Sequence, residues 1–203
     1  MISIQDMSFT MDGNPVFSDF SMEINSGTKM LIKGRSGSGK TSLFKLLLGF
    51  AQPDTGNIRI NGLALDKTHI REIRNSFFYL SQDVDLPHET GRTLIARLER
   101  LNREHPLVID SLGHFLTLLD LPPSLLEKKI PVLSGGERQR LGLLMGFLLD
   151  RPIWLLDEPT SALDDAMKEI VVDYITAMDK TILVVSHDRV WEAHPDITKF
   201  NWR

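Results

Sequence analysis

Leu133-Ser134-Gly135-Gly136-Glu137-Arg138-Gln139-Arg140 opens the apolar run at residues 141–149. Ser134 and Glu137 stand three apart, the S-x-x-E spacing at which each side chain satisfies a backbone N–H of the other and starts a helix. Asp150 and Arg151 stop the run far short of the roughly 20 apolar residues that a membrane span needs, so it predicts a buried helix. A capped helix start carrying two glycines is also a place for an anion, because its N–H groups and dipole face outward together. By itself the octapeptide is a helix start, and its weight comes from what flanks it.

Upstream lies Gly34-Arg35-Ser36-Gly37-Ser38-Gly39-Lys40-Thr41, a match to G-x-x-x-x-G-K-[ST], followed by Ser42. Glycines let successive N–H groups curl around a β-phosphate where a Cβ would crowd the ring or the ligand. A helix opening at Thr41 aims its N-terminal N–H groups at the same anion. Lys40 reaches the β- and γ-phosphates, and the Thr41 hydroxyl is offered to Mg²⁺. The apolar centre Met30-Leu31-Ile32 predicts a buried strand before this loop, and Leu43, Phe44, Leu46, Leu47 and Leu48 repeat at helical spacing after it.

Downstream, Ile153-Trp154-Leu155-Leu156-Asp157-Glu158-Pro159 is an apolar strand that delivers two carboxylates at its C-terminal edge, where ligands gather in open α/β sheets. Neighbouring positions on a strand point opposite ways, so the two acids are expected to differ in role. A second continuous apolar run, residues 181–185, suits another strand covered on both faces, with a crossover helix at residues 166–178 between the two. Near the N-terminus, partly alternating segments around Ile2, Ile4, Met7 and Phe9 and around Phe20, Met22 and Ile24 flank the turn Asp12-Gly13-Asn14-Pro15. Further strands are expected at residues 57–61 and 76–80. Residues 92–129 are Leu-rich at helical spacing, broken at Pro106 and at Pro122-Pro123.

The three motifs in this order resemble the ATP-binding cassette (ABC) ATPases, over nearly the whole chain. The resemblance implies an α/β P-loop NTPase with a RecA-like core, an N-terminal antiparallel β subdomain and an inserted helical subdomain at about residues 83–131. It implies Mg²⁺-dependent hydrolysis of ATP, with Asp157 holding Mg²⁺ through water and Glu158 as general base. Having Glu at that second position implies a site competent for hydrolysis. Gln82 matches the glutamine that senses Mg²⁺ and the γ-phosphate beside the coupling surface. His187, in Ser186-His187-Asp188, matches the switch histidine on the γ-phosphate. Ser161-Ala162-Leu163-Asp164 matches the loop that crosses a dimer interface. In the family the Ser134-Gly135-Gly136 segment contacts the nucleotide held by the other cassette of a head-to-tail pair, so a homodimer enclosing two ATP molecules is implied. Glu137 replaces the commoner Gln.

One departure concerns the base. The family stacks an aromatic ring on adenine near the end of the first strand, and that slot falls on Met11. Either Phe9 or Phe17 substitutes, or base selectivity is weak. Discrimination between ATP and GTP is expected to fall below the family norm.

Bulk properties bound the rest. A chain of 203 residues, 42% hydrophobic and 25% charged, can bury a core. A net charge of −4 gives no electrostatic case for nucleic acid. The absence of cysteine excludes disulfides, zinc-thiolate sites and iron–sulfur clusters on this chain. His69, His88, His105, His114 and His194 show no metal-ligand spacing. No segment is a candidate membrane span, and the first residues lack the regions of a signal peptide. The chain extends sixteen residues past His187, and no appended regulatory domain is expected. The leading reading is the energy-coupling subunit of an ABC transporter, peripheral at the cytoplasmic face of the membrane and paired with a multi-span permease supplied by a separate chain. Small bacterial cassettes proposed for iron export look similar. The rival is a cassette ATPase that acts as an ATP switch in a soluble, cell-division or assembly complex.

Overall fold

The computed structural model describes residues 2–35 and 37–202. β1 (Ile2–Met11) and β2 (Asn14–Ile24) form an antiparallel hairpin turned at Asp12-Gly13. Both turn residues have positive φ, 50° and 78°, as a two-residue loop between twisted strands demands. β4 (Thr55–Ile60) pairs with the other side of β1, and the two-residue β5 (Leu63–Ala64) completes a sheet of order β2-β1-β4-β5. Its buried face carries Ile2, Ile4, Met7, Ile58 and Ile60.

The second sheet is wholly parallel, ordered β6 (Phe77–Leu80), β7 (Ile153–Asp157), β8 (Thr181–Val185), β3 (Lys29–Lys33), β9 (Thr198–Asn201). Every residue of β7 and β8 is buried, which is why both read as unbroken apolar runs. The pleat sorts them between two layers. Ile153, Leu155 and Leu183 pack with Leu43, Phe44 and Leu47 of α1 (Lys40–Leu47) and with the antiparallel sheet. Trp154, Leu156 and Val184 face α5 (Gly135–Leu149) and α6 (Asp165–Ala177). The Trp154 ring lies 4.6 Å from Phe78, and its indole N–H donates to the Arg151 carbonyl at 3.0 Å. Truncating this side chain to Ala costs about 3–5 kcal/mol.

α5 is buried around most of its circumference from Leu141 to Leu148, as a helix apolar on all sides must be. It lies flat on β6 through two glycines. A Cβ on Gly146 would sit 2.4 Å from the Phe78 ring, and one on Gly142 would sit 2.7 Å from Leu80. Close approach outweighs the roughly 1 kcal/mol that each glycine costs a helix.

The Leu-rich stretch is less continuous than its spacing predicts. It forms α3 (Gly91–Leu101) and α4 (Leu112–Leu118), with 3-10 turns at Ile109–Ser111, Pro123–Glu127 and Ile130–Val132. The breaks lie beside Pro106 and at Pro122-Pro123, where the missing N–H and fixed φ end a helix. Four short elements carry too few residues to show a period: β5, α2 (Ile70–Asn75), α7 (Arg189–Ala193) and β9. No helix among the described residues is long and apolar enough to cross a membrane.

Candidate active site

Parallel register brings the ends of β3, β6, β7 and β8 to one edge, with Leu80 opposite Leu156, Asp157 opposite Val185, and Val185 opposite Ile32. The loops leaving those ends line one cleft of about 740 Å³. Gly37, Gly39, Lys40, Thr41 and Ser42 form one wall; Gln82, Asp157, Glu158 and His187 face them. Met11, Asp12, Asn14 and Val16, from the β1–β2 turn, close one end.

Gly39 is the N-cap of α1 with φ 97°, and no side chain caps this helix. A Cβ there would also sit 2.4 Å from Val16, so both conformation and space require glycine. Lys40 Nζ donates to the carbonyls of Gly34 and Arg35 at 2.8 Å each, pinning the entry of its own loop. The Ser38 hydroxyl is buried and makes no hydrogen bond to the described residues. An orphan buried hydroxyl in this glycine-rich loop fits a phosphate oxygen. Ser36 lies outside the described residues.

Asp157 is 4% exposed and accepts a hydrogen bond from the Thr41 hydroxyl at 2.8 Å. Burial pushes its carboxyl above the usual range, against the opposing pull of Thr41 and the Lys40 charge. A hydroxyl and a carboxylate in contact are hard oxygen donors of the kind Mg²⁺ takes alongside phosphate and water. Among the described residues no group of three or more His, Cys, Asp or Glu could cage a metal, so such an ion would depend on the nucleotide.

Strand alternation does not account for the two acids, because both line the same cleft. Glu158 leaves the strand with φ 50°, a left-handed conformation rare for Glu, and this brings its side chain back. Its N–H donates to the Val185 carbonyl at 2.8 Å, and its carboxylate accepts from the Ser186 hydroxyl at 3.2 Å and the His187 N–H at 3.3 Å. The His187 ring, 69% exposed, has Nε2 at 3.8 Å from Glu158 Oε1. The two acids do differ in surroundings: Asp157 faces the Thr41 hydroxyl, Glu158 the Ser186–His187 turn.

Ser134, Gly135 and Gly136 do not line this cleft. Ser134 Oγ accepts from the Glu137 N–H at 3.2 Å, and Glu137 Oε2 accepts from the Ser134 N–H at 2.8 Å, completing the capping box. Asp164 is exposed and caps α6, accepting from the Met167 N–H at 2.9 Å. Phe17 is 5% exposed and packs against Phe20 and Trp202, with Phe9 behind it. Neither ring lines the cleft, whereas Met11 does, taking a long contact from the Ser42 hydroxyl at 3.8 Å.

Two residues of this site carry no distinct signal in the sequence. Gln139, 2% exposed, donates to the Glu158 carbonyl at 2.8 Å and accepts from the Ala162 N–H at 2.8 Å. It ties the first turn of α5 to the loop that carries Glu158. Ser186 steadies the Glu158 carboxylate and accepts from the Asp188 N–H at 3.1 Å. Both lie inside quoted motifs, yet only the folded chain shows that they are buried tethers.

The family model described as ABC transporter matches residues 17–161. Among similar proteins, a probable ABC transporter ATP-binding/permease protein of Haemophilus influenzae is 34% identical over 196 residues, covering 92% of this chain and 35% of that protein. An ATP-dependent lipid A-core flippase of Vibrio vulnificus is 31% identical, covering 92% of this chain and 34% of that one. The chain thus spans about a third of the length of these relatives. Of solved structures, the dimeric MJ0796 bacterial ABC transporter cassette superposes with a TM-score of 0.84 at 22% identity, covering 99% of this chain and 94% of that one. An ATP-bound bacterial Atm1-family ABC exporter superposes with the same TM-score and identity, covering 100% of this chain and 37% of its own. At such identity these two speak for the fold. With a glycine-rich loop, an acidic strand end and His187 converging on one cleft, and the family model spanning most of the chain, this protein belongs to the ABC transporter family.

Proposed function

We propose that two copies of this cassette close head to tail over two ATP molecules and that Mg²⁺-dependent hydrolysis drives a membrane transporter. The observation that carries the reading is the division of motifs. One chain's cleft gathers the phosphate loop, Asp157, Glu158 and His187, while Ser134, Gly135 and Gly136 lie outside it. A second copy would supply them.

In this reading the loop amides of residues 34–35 and 37–39, Lys40 and Ser42 hold the phosphates, with Arg35 shaping the loop. Lys40 exchanges its two loop carbonyls for phosphate oxygens. Thr41, Asp157 through water, and Gln82 would hold Mg²⁺, which would supply charge neutralisation to the phosphates. Glu158 accepts the proton of the attacking water, its carboxylate steadied by Ser186 and the His187 N–H. His187 hydrogen-bonds the γ-phosphate. Ser134 and Gly136 complete that phosphate's shell in trans, with Gly135 between them and Asp164 carrying the 161–164 loop across the interface. A loose phosphoryl transition state needs positioning and charge more than covalent help.

Adenine would meet Met11 and Val16 rather than a ring. Competition binding is expected to show GTP displacing ATP more readily than an aromatic platform allows; negligible GTP binding beside tight ATP binding would count against this.

The membrane partner would be a multi-span permease on a separate chain, docking on the 83–131 segment and holding the cassette peripherally at the cytoplasmic face. Supporting this is a groove of about 410 Å³ beside Gln82, where Val84, Leu86, Ile130 and Pro131 meet Asp83 and Asp85. Affinity capture from detergent-solubilised membranes tests the reading. A stoichiometric multi-span protein is expected; only soluble partners, with the chain absent from membranes, would sink it.

A further inference from the structure

The Trp202 side chain reaches the phosphate loop from the far end of the chain. β9 runs parallel to β3, with Lys33 opposite Asn201, and the Trp202 N–H donates to the Lys33 carbonyl at 2.6 Å. The indole N–H then donates to the Ser38 carbonyl at 2.7 Å. The ring is wedged among aromatics of both sheets. Phe17 lies 5.3 Å away at 82°, Phe20 at 5.4 Å and Phe200 at 5.9 Å. A Cβ on Gly34 would fall 2.7 Å from Trp202 Cβ. Trp202 therefore explains why Gly34 must be small: the nearest atom its Cβ would strike belongs to that tryptophan.

We propose that Trp202 is a positioning residue for nucleotide binding: by fixing the Ser38 carbonyl it orients the Gly39 N–H toward the bound phosphate. The physics is that of one peptide plane. In a trans peptide the C=O and the N–H of the next residue point in opposite directions. Anchoring the Ser38 oxygen on the indole aims the Gly39 N–H the other way. The neighbouring conformation is otherwise loosely determined, since Gly37 and Gly39 have φ of 77° and 97° and no side chain caps α1. A glycine-rich loop free to rotate that plane loses a donor for the anion, and the indole prevents the rotation. The antiparallel sheet contributes Phe17 and Phe20 to the wedge, so both sheets brace the same loop.

This inference rests on the reading of residues 34–41 as the nucleotide-binding loop. The test is Trp202→Phe, which keeps an aromatic ring and removes the N–H donor, read by calorimetric titration with ADP and by steady-state ATPase kinetics. The wild-type protein binding no ADP would defeat the nucleotide reading itself. With wild-type binding in hand, the variant is expected to bind ADP about three- to tenfold more weakly, the loss of one hydrogen bond. KM for ATP rises by a similar factor and kcat is retained. An unchanged dissociation constant and KM in the folded variant would overturn the inference. A second readout uses the wild-type chain. Trp154 is fully buried on the α5–α6 side of the sheet and Trp191 reaches the cleft residue Asp188 through Thr160, so the emission change that ADP produces through Trp202 is the part expected to be lost in Trp202→Phe. No emission change on saturation would overturn the inference, as would a full response surviving in Trp202→Phe.

Discussion

α1 begins just after a glycine-rich loop and α5 begins with two glycines, and both resemble anion sites, but they start in opposite ways. α1 has a left-handed glycine as N-cap, no capping side chain, and Lys40 in its first turn. α5 is capped by its own Ser134 and Glu137, each satisfying an N–H of the other. Hydrogen bonding from the Ser134 backbone N–H holds the Glu137 carboxyl below its usual range, so the first turn of α5 carries a firm negative charge. The difference teaches which helix start can hold a polyphosphate by itself. An uncapped start offers its N–H groups and dipole to a ligand; a capped one has given part of that capacity to its own stability. The α5 start retains the glycine amides and the hydrogen of the Ser134 hydroxyl, which suits a second contact to a phosphate already held elsewhere.

The contrast can be broken in three places. The Glu158 carboxylate lies in the α1 cleft and is held by Ser186 and His187 rather than by either helix start, so Glu158→Gln separates chemistry from binding. Turnover is expected to fall about 10²–10⁴-fold in an ATPase assay, with ATP affinity and pairing of chains retained. Unchanged turnover would remove Glu158 from the role of base. Gly39→Ala attacks α1 directly. Left-handed strain and a Cβ 2.4 Å from Val16 are expected to weaken nucleotide binding about 100-fold, from about 1–3 kcal/mol for each effect; wild-type affinity would mean that the loop adapts. Ser134→Ala attacks α5 more mildly. It removes a cap, lowering Tm by about 2–4 °C, and a phosphate contact, lowering ATPase turnover about tenfold. Nucleotide binding to the single chain is expected to be unchanged, and weakened binding there would place Ser134 in its own chain's cleft.

How much of this was legible follows the same contrast. The phosphate loop, the acidic strand end and the capped start of α5 are local patterns, and each lies where its spacing implies. The two covered strands were readable because burial on both faces removes polar positions. What could not be read depends on distant chain. Trp202 is a lone aromatic until β9 sets it beside Ser38, 164 positions away in sequence. Gln139 belongs to a solvent-ready motif until α5 turns it under the Glu158 loop. The direction of Glu158 was misjudged from strand alternation because its positive φ arises where the chain leaves the sheet. Phe17 looked available for a base until the aromatic cluster with Phe20 and Trp202 claimed it.

The central claim is that the two helix starts of one chain serve two different nucleotides. Mixing two inactive variants tests it most directly. Lys40→Ala disables the α1 start, and Ser134→Arg blocks the α5 start. In a head-to-tail pair of one chain of each kind, one site combines both defects and the other combines neither. The account predicts that ATPase activity absent from each variant alone returns on mixing, rising with the fraction of mixed pairs. No recovery, with mixed pairs demonstrated to form, would show that Ser134 and Lys40 serve the same nucleotide and would contradict it.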